Sequence, residues 1–153
     1  PNRAYISEDE YLPSMYSESM GELVVIYDTS GSVCDKAVAQ FWSETVEIAR
    51  SIRPSKIVVI QCDAVVQQVD EIEVESAAEY KLKIKGRGGT NFAPAMERAT
   101  KDYPEAEAIL FLTNMECSSY GPEPKCPMMW ISVEKKWQTP PFGEVIYMPL
   151  DEQ

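Results

Sequence analysis

A short run of oxygen-bearing side chains between residues 28 and 32 is the part of the sequence best suited to chemistry. The segment Asp28-Thr-Ser30-Gly-Ser32 places one carboxylate and two hydroxyls on alternate residues. Alternate residues of an extended turn face the same side, so their oxygens can converge. Hard divalent cations prefer oxygen ligands, and Mg²⁺ takes about six of them at ~2.0–2.1 Å. We therefore predict a cation site at Asp28, Ser30 and Ser32; the alternative for this segment alone is a helix cap.

Two later segments could supply further ligands. The glycine-rich turn Gly88-Gly89-Thr90 can present the Thr90 hydroxyl, and Asn114 follows a later apolar run and can offer an amide oxygen, directly or through water. A site with one carboxylate and several neutral oxygens would leave the cation electrophilic and open to a carboxylate from another molecule. We predict Thr90 and Asn114 as the fourth and fifth ligands, with Gly89 in a supporting position.

Two acidic residues are candidates for a supporting role. Asp63 follows a second apolar run and either shapes the site from behind the ligands or bonds the backbone of its own turn, which is the commoner role of such a residue. Glu116 lies two residues beyond Asn114 and could compensate for its missing charge. We predict that both support the site from behind the ligands and do not bind the ion directly.

The elements that must position these residues follow from hydrophobic patterning. Short, continuous, β-branched apolar runs are typical of buried parallel strands. We predict such strands over 23–27, 56–61, 108–112 and 128–133, and a short last strand over 143–148. Residues 65–69 fit an edge strand, which could be antiparallel. Helices are predicted over 34–52 and 92–101. Residues 71–85 fit a strand, a turn or a short helix. The apolar face of the first helix is predicted to contain Ala37, Phe41, Val46, Ile48, Ala49 and Ile52.

The order of these elements predicts the fold class. Strands that alternate with helices indicate an open, mostly parallel, doubly wound Rossmann-like α/β sheet, here of about six strands flanked by helices. Ligands of such sheets bind beyond the carboxyl ends of the strands, which is where the polar segments fall. The 153 residues suit one domain. We predict a lead-in segment over 1–20 that packs on a domain spanning 21–150.

Composition excludes several functions. The net charge is −11, and no stripe of Lys and Arg interrupts it, so nucleic-acid binding is not expected. The sequence has no His, which excludes Ser-His-Asp and Cys-His catalysis and His-ligated zinc in this chain. No apolar run reaches the ~18 residues of a membrane span. Pro1 stands where an initiator Met would be, as in a piece of a longer protein.

The four cysteines form no Cys-x-x-Cys pair, so zinc and redox motifs are not indicated. Cys34 and Cys62 lie in apolar stretches and are predicted to be buried free thiols. Cys117 and Cys126 share one loop region and could pair under oxidation, which is left open. Cysteine usage of this kind favours a cytoplasmic location.

The combined pattern resembles a known metal site. Asp-x-Ser-x-Ser after a buried strand, then Gly-Gly-Thr, then an acidic or amide residue after a later strand is similar to the metal-ion-dependent adhesion site (MIDAS) of von Willebrand factor A-type domains. On this resemblance Asp28, Ser30 and Ser32 match the first loop, Thr90 the second and Asn114 the third. The third loop of the family usually has Asp, so Asn114 removes a negative charge and is expected to weaken binding.

The likeness extends to one subfamily, the A-like domain at the C-terminus of predicted bacterial and phage metallopeptidase-related proteins. It covers nearly the whole chain, from about Asn2 to Met148, and is carried by the segments Tyr11-Leu-Pro, Gln61-Cys-Asp, Arg87-Gly-Gly-Thr-Asn-Phe, Met129-Trp-Ile and Pro141-Phe-Gly-Glu-Val-Ile. A separate N-terminal region of that family carries a zinc-peptidase motif. A chain without His is not expected to have this activity.

The resemblance implies a metal-ion-dependent protein-interaction module. It would bind Mg²⁺ or Mn²⁺, or Ca²⁺, and hold a protein partner through an acidic side chain of that partner. The domain is expected to be a monomer that regulates an attached or partner enzyme or recruits proteins to it. One alternative is a metal-free scaffold with a degenerate site. A Mg²⁺-dependent phosphoryl-transfer enzyme is less favoured, because Ser30 replaces the second Asp of such enzymes and no general acid is evident.

Overall fold

The computed structural model describes residues 21–30, 33–80, 83, 86, 88–117 and 119–149. They form one sheet of six strands with two helices. The strands are β1 (Glu22–Asp28), β2 (Lys56–Cys62), β3 (Val66–Ile72), β4 (Ala106–Thr113), β5 (Met128–Ser132) and β6 (Glu144–Tyr147). The helices are α1 (Asp35–Ile52) and α2 (Ala93–Asp102), and a single 3₁₀ turn spans Val74–Ser76. The predicted lead-in segment over 1–20 lies outside the described residues.

The sheet is wound in two directions from its centre. The strand order is β3-β2-β1-β4-β5-β6, with every neighbouring pair parallel except β2 and β3. The chain passes through α1 from β1 to β2 on one side, and through α2 to β4 on the other. The direction therefore reverses between β1 and β4, which is the position where open α/β sheets bind ligands. The predicted α/β fold class and the antiparallel edge strand are both confirmed.

The apolar runs form strands because both faces of the central sheet are covered. Leu23 and Val25 of β1 pack on the side of α1, whereas Val24 and Ile26 pack on the side of α2. Alternate side chains of a strand point to opposite faces, so a strand buried on both faces must be apolar throughout. This requirement explains why the central strands lack the alternating pattern of half-exposed strands.

Two predictions about the burial of residues in α1 and in the turn before it were wrong. Ile48 and Ile52 were expected on its buried face but are 43% and 39% exposed. Ile48 lines a groove with Ile146 of β6, beside the crossover between β5 and β6, whose described residues contain no helix that could cover it. Cys34 was expected to be buried but is exposed, because it lies in the turn before α1; Cys62 is buried as predicted.

The last two crossovers of the sheet, residues 114–127 and 133–143, contain no helix in their described residues. Parallel strands are usually joined through a helix that covers the sheet. On the side of α2 a cluster of rings covers β4 and β5 instead, with centroids 4.7–5.9 Å apart. This aromatic cluster consists of Phe92, Phe111, Tyr120, Trp130 and Phe142. Trp130 is fully buried and donates from Nε1 to the Phe142 carbonyl at 2.8 Å.

The remaining structural expectations are met in part. In the region left ambiguous, 71–85, β3 runs to Ile72 and is followed by the 3₁₀ turn. All four cysteines are free thiols, so Cys117 and Cys126 are not paired. Within the described part of the chain, no helix combines the length and the apolar character that crossing a membrane requires.

Candidate functional site

The carboxyl ends of β1, β2, β4 and β5 form one edge of the sheet, called here the carboxyl rim. Asp28 at the end of β1 is aligned with Cys62 at the end of β2, and Thr113 at the end of β4 is aligned with Ser132. Asp63 and Asn114 each follow one of these ends. The structure thus brings the predicted residues at the strand ends to one rim.

Asp28 is the most deeply placed charged group of the rim, with 1% of its surface exposed. Its Oδ1 accepts a hydrogen bond from the Ser30 N–H at 2.9 Å, and its Oδ2 accepts one from the Thr113 hydroxyl at 2.7 Å. Both donors are neutral, and no Lys or Arg among the described residues forms an ion pair with it. A carboxylate has about four acceptor positions, and these two hydrogen bonds occupy two of them.

Thr113 is a site residue that the sequence analysis did not assign. Its hydroxyl joins β4 to β1 through Asp28 and accepts a hydrogen bond from the Met115 N–H at 3.0 Å. It therefore holds the carboxylate across the place where the winding of the sheet reverses. Its position at the end of a buried strand, immediately before Asn114, could have identified Thr113 as a site residue.

Asn114 is buried in a tight turn after β4. Its Oδ1 accepts a hydrogen bond from the Glu116 N–H at 3.0 Å, and Met115 between them has a left-handed φ of 67°. An amide oxygen has two lone pairs, and this bond uses one of them. Glu116 itself is exposed.

Asp63 bonds the backbone of its own turn, as predicted, and it also holds the glycine-rich turn. Its Oδ1 accepts from the Val65 N–H at 3.1 Å and the Gln67 side chain at 2.9 Å, which closes its own turn. Its Oδ2 accepts from the Gly88 N–H at 2.9 Å, and its carbonyl accepts from the Asn91 N–H at 3.0 Å. Burial acts to raise the pKa of Asp63, but these hydrogen bonds, led by that of Gln67, outweigh it and lower the pKa.

The glycine-rich turn is held against the ends of β1 and β2. Gly86 has φ +110°, and a Cβ there would lie 2.9 Å from both the Asp63 Oδ2 and the Thr29 Oγ1. A side chain would therefore force the turn away from the rim. By contrast, a Cβ at Gly89 would meet no atom within 4 Å, so packing does not require a glycine at this position.

Thr90 is carried by this turn. It lies between Gly88 and Asn91, which both donate backbone hydrogen bonds to Asp63, and it is half-buried. Asn91 Oδ1 accepts from the Ala93 N–H at 3.0 Å, so Asn91 caps the start of α2. Ser32, the third residue of the Asp-x-Ser-x-Ser segment, lies outside the described residues.

The ligand set predicted at the rim is unusual in containing a single carboxylate. Within the described residues there is no group of three or more Cys, Asp or Glu side chains arranged to hold a metal ion. Binding at the rim would therefore depend on hydroxyl and amide oxygens around Asp28.

A sequence-family comparison identifies the fold family at this point. The model of the family described as VWA-like domain (DUF2201), where VWA denotes von Willebrand factor A, matches residues 23–149. The chain belongs to the VWA-like domain family. The match covers every strand from β2 to β6, both helices and all but the first residue of β1, and it agrees with the resemblance noted in the sequence. The finer resemblance to a metallopeptidase-related subfamily stays a prediction.

One relative of this VWA-like domain is an uncharacterized protein of Thermotoga maritima. The two are 28% identical over 117 residues, which is 72% of this chain and 26% of the relative. The chain thus spans about a quarter of the length of the relative it matches.

Proposed function

We propose that this VWA-like domain binds Mg²⁺ or Mn²⁺ at the carboxyl rim and uses the ion to hold an acidic side chain of a partner protein. The observation that carries the proposal is Asp28, a buried carboxylate whose two described donors, the Ser30 N–H and the Thr113 hydroxyl, are both neutral. It lies beside the reversal of winding between β1 and β4. A buried charge at such a place favours a cationic ligand.

The proposed ligands are oxygens of Asp28, Ser30, Ser32, Thr90 and Asn114. Thr113 and the Ser30 N–H orient the Asp28 carboxylate, and Asp63 fixes the turn that carries Thr90. When bound, the ion would supply a concentrated positive charge with an open coordination position for a carboxylate. The domain would then discriminate between partners by where they place an acidic group.

The first experiment is a titration of Mg²⁺, and then Mn²⁺, into chelator-treated protein, followed by heat release and by the thermal midpoint. A ligand that binds only the folded state stabilises it by about 2.7 kcal/mol at 100 times its Kd. We expect saturable binding in the parent protein and none in Asp28→Asn, which keeps the side-chain shape. Glu105→Gln, at the opposite end of the sheet, removes one exposed charge and serves as the matched control.

A gain-of-function variant makes the test independent of damage to the fold. Asn114→Asp restores a carboxylate next to the proposed ion. We expect its Mg²⁺ affinity to rise roughly tenfold, which corresponds to ~1.4 kcal/mol. If neither the parent protein nor Asn114→Asp releases heat with millimolar metal, the proposal is wrong.

A metal-free scaffold is the second candidate. It is favoured by the closed hydrogen-bond network at the rim, in which Thr113 bonds Asp28 and Asn114 bonds the Glu116 N–H. A scaffold of this kind would bind its partner equally well in Mg²⁺ and in chelator. Partner binding that chelator abolishes would exclude it.

We propose binding rather than catalysis as the role of this chain. The sequence contains no His, and Ser30 stands where aspartyl phosphoryl-transfer enzymes carry their second Asp. Phosphatase or nucleotidase activity that Asp28→Asn abolishes would contradict this assignment.

A further inference from the structure

An open groove of about 880 Å³ lies over the carboxyl ends of β4, β5 and β6. We call it the rim groove; its lining includes Asn114, Met115, Glu116, Lys135, Trp137 and Tyr147. Its floor is rigid because Ser132 is aligned with Thr113 on one side and with Tyr147 on the other. The groove shares Asn114 with the proposed metal site and leads away from it towards β6.

One wall of the rim groove is the loop that follows β5. The Ser132 hydroxyl donates to the Glu134 carbonyl at 2.7 Å and accepts from the Glu134 N–H at 3.1 Å, which fixes the start of the loop. The loop then exposes Lys135, Lys136 and Trp137, with 37% of Trp137 accessible. A Trp left partly exposed beside a groove is the type of residue that most often dominates binding energy at protein interfaces.

The charges of the rim groove differ from those of the chain as a whole. The chain has a net charge of −11, yet two adjacent lysines, Lys135 and Lys136, face this groove. Neither forms an ion pair with another described residue. Within the groove these two lysines balance Glu116 and Glu134, so an acidic ligand that most of this strongly acidic protein repels meets two lysines here.

We propose that the rim groove binds an extended acidic segment of a partner protein. An apolar side chain of the segment packs against Trp137 and Met115, and its carboxylates face Lys135 and Lys136. Glu116 and Glu134 repel carboxylates elsewhere in the groove and so fix the register of the segment. The proposal rests on the proposed function in one respect, that a further carboxylate of the same segment reaches the ion beside Asn114.

The shape of the rim groove favours a peptide over other ligands. Most of its wall residues are exposed, whereas sites for small molecules bury 70–90% or more of a drug-sized ligand. Nucleic acid would bring a phosphate at every nucleotide against a strongly acidic chain, whereas a peptide can place its few carboxylates at the two lysines. An extended segment can lie along an open groove and present alternate side chains to it.

The test uses a random peptide library displayed on phage, selected on the whole chain in Mg²⁺, with the enriched peptides then synthesised and labelled. We expect peptides in which Asp or Glu alternates with an aromatic or aliphatic residue. Their affinity should fall at least tenfold in Trp137→Ala and in the double variant Lys135→Glu/Lys136→Glu, and high salt should weaken it. The matched control is Lys101→Glu/Lys125→Glu, which reverses two exposed lysines away from the groove.

Calorimetric Mg²⁺ titration of the same variants separates this inference from the proposed function. Unchanged Mg²⁺ affinity with lost peptide affinity supports the rim groove as the docking surface. Peptides that bind the groove variants as well as the parent protein, or an enrichment of basic peptides, would overturn the inference while leaving metal binding intact. Groove-dependent peptide binding in a protein that binds no Mg²⁺ would support the groove and refute the metal.

Discussion

The two faces of the sheet are covered in different ways. On one face α1, a helix of 18 residues, packs over the central strands with a stripe of buried apolar residues. On the other face α2 has only 10 residues, and the aromatic cluster around Trp130 extends the cover across β4 and β5. Helix α1 does not cover β6, and Ile48 of α1 and Ile146 of β6 are exposed.

The difference shows how a sheet can remain folded without helices in its later crossovers. Large rings bury more area per residue than aliphatic side chains, and their edge contacts add about 0.5–1.5 kcal/mol per pair. The two crossover loops contribute only Tyr120 and Phe142 to the aromatic cluster, so other parts of these loops can shape the carboxyl rim. The α1 face relies on a long helix, and the α2 face relies on a few large side chains.

The strongest test of this comparison is the truncation of one Trp on each face. Trp130→Ala should destabilise the protein by about 3–5 kcal/mol, because it leaves a large cavity among the rings. It also removes the donor to the Phe142 carbonyl. Trp42→Ala on the α1 face should cost less, because Trp42 lies at the border of that core. Urea denaturation measures both; an equal or larger loss for Trp42→Ala would refute the comparison.

Substitution of a glycine in the loop after β4 tests how closely this loop must approach α2. Gly121 has φ +76°, and a Cβ there would lie 2.9 Å from the Ala93 Cα and the Met96 Cβ. Gly121→Ala should therefore cost about 1–3 kcal/mol through backbone strain and the contact with α2. The thermal midpoint reports the loss, and Gly89→Ala, where the space is open, is the control. A stable Gly121→Ala protein would mean that the loop does not depend on this approach.

Polar replacement on the uncovered part of the α1 face should have little effect on stability. Ile146→Thr keeps a β-branched side chain in β6 at a position that is 45% exposed. We expect the free energy of unfolding to change by no more than about 0.5 kcal/mol. A much larger loss in urea denaturation would show that another part of the protein covers this face in solution.

The smallest expected effect is a loss of stability at alkaline pH, caused by ionisation of a tyrosine on the α2 face. Burial, and then the hydrogen bond to Glu71, raise the pKa of Tyr103 to about 12. A raised pKa contributes stability that is complete below the unfolded pKa, about 10, and is lost as pH rises through the folded pKa. Tyr103→Phe should remove this alkaline loss, and the parent-minus-variant absorbance of ionised tyrosine should titrate near pH 12. A titration near pH 10 would contradict the assignment.

Much of this fold was predictable because its strands are buried on both faces. Continuous apolar runs marked β1, β2, β4 and β5 to within two residues of their ends. The same reasoning was wrong for Ile48 and Ile52, because helical periodicity shows which residues share a face but not how far the cover of that face extends. The prediction that Cys34 is buried was wrong for a similar reason, since apolar neighbours in the sequence do not determine whether a residue in a turn is buried.

The sequence predicted which residues of the candidate site lie at the strand ends, but it did not predict the hydrogen bonds that connect them. Sheet topology alone placed Asp28, Asp63 and Asn114 on one rim. The bond from Thr113 to Asp28 joins residues 85 positions apart, and that from Gly88 to Asp63 joins residues 25 apart. Such partners depend on strand register and turn conformation, which local sequence patterns do not specify.

The helix-free crossovers have a consequence for the evolution of this domain. In most parallel sheets a change in a crossover alters the layer that protects the sheet, so recognition and folding must change together. Here residues 134–138 are all exposed and can mutate or lengthen with little effect on the layers over the central strands, because loop closure costs rise only slowly with length. If the rim groove is the docking surface proposed above, partner choice could therefore diverge while the fold is kept.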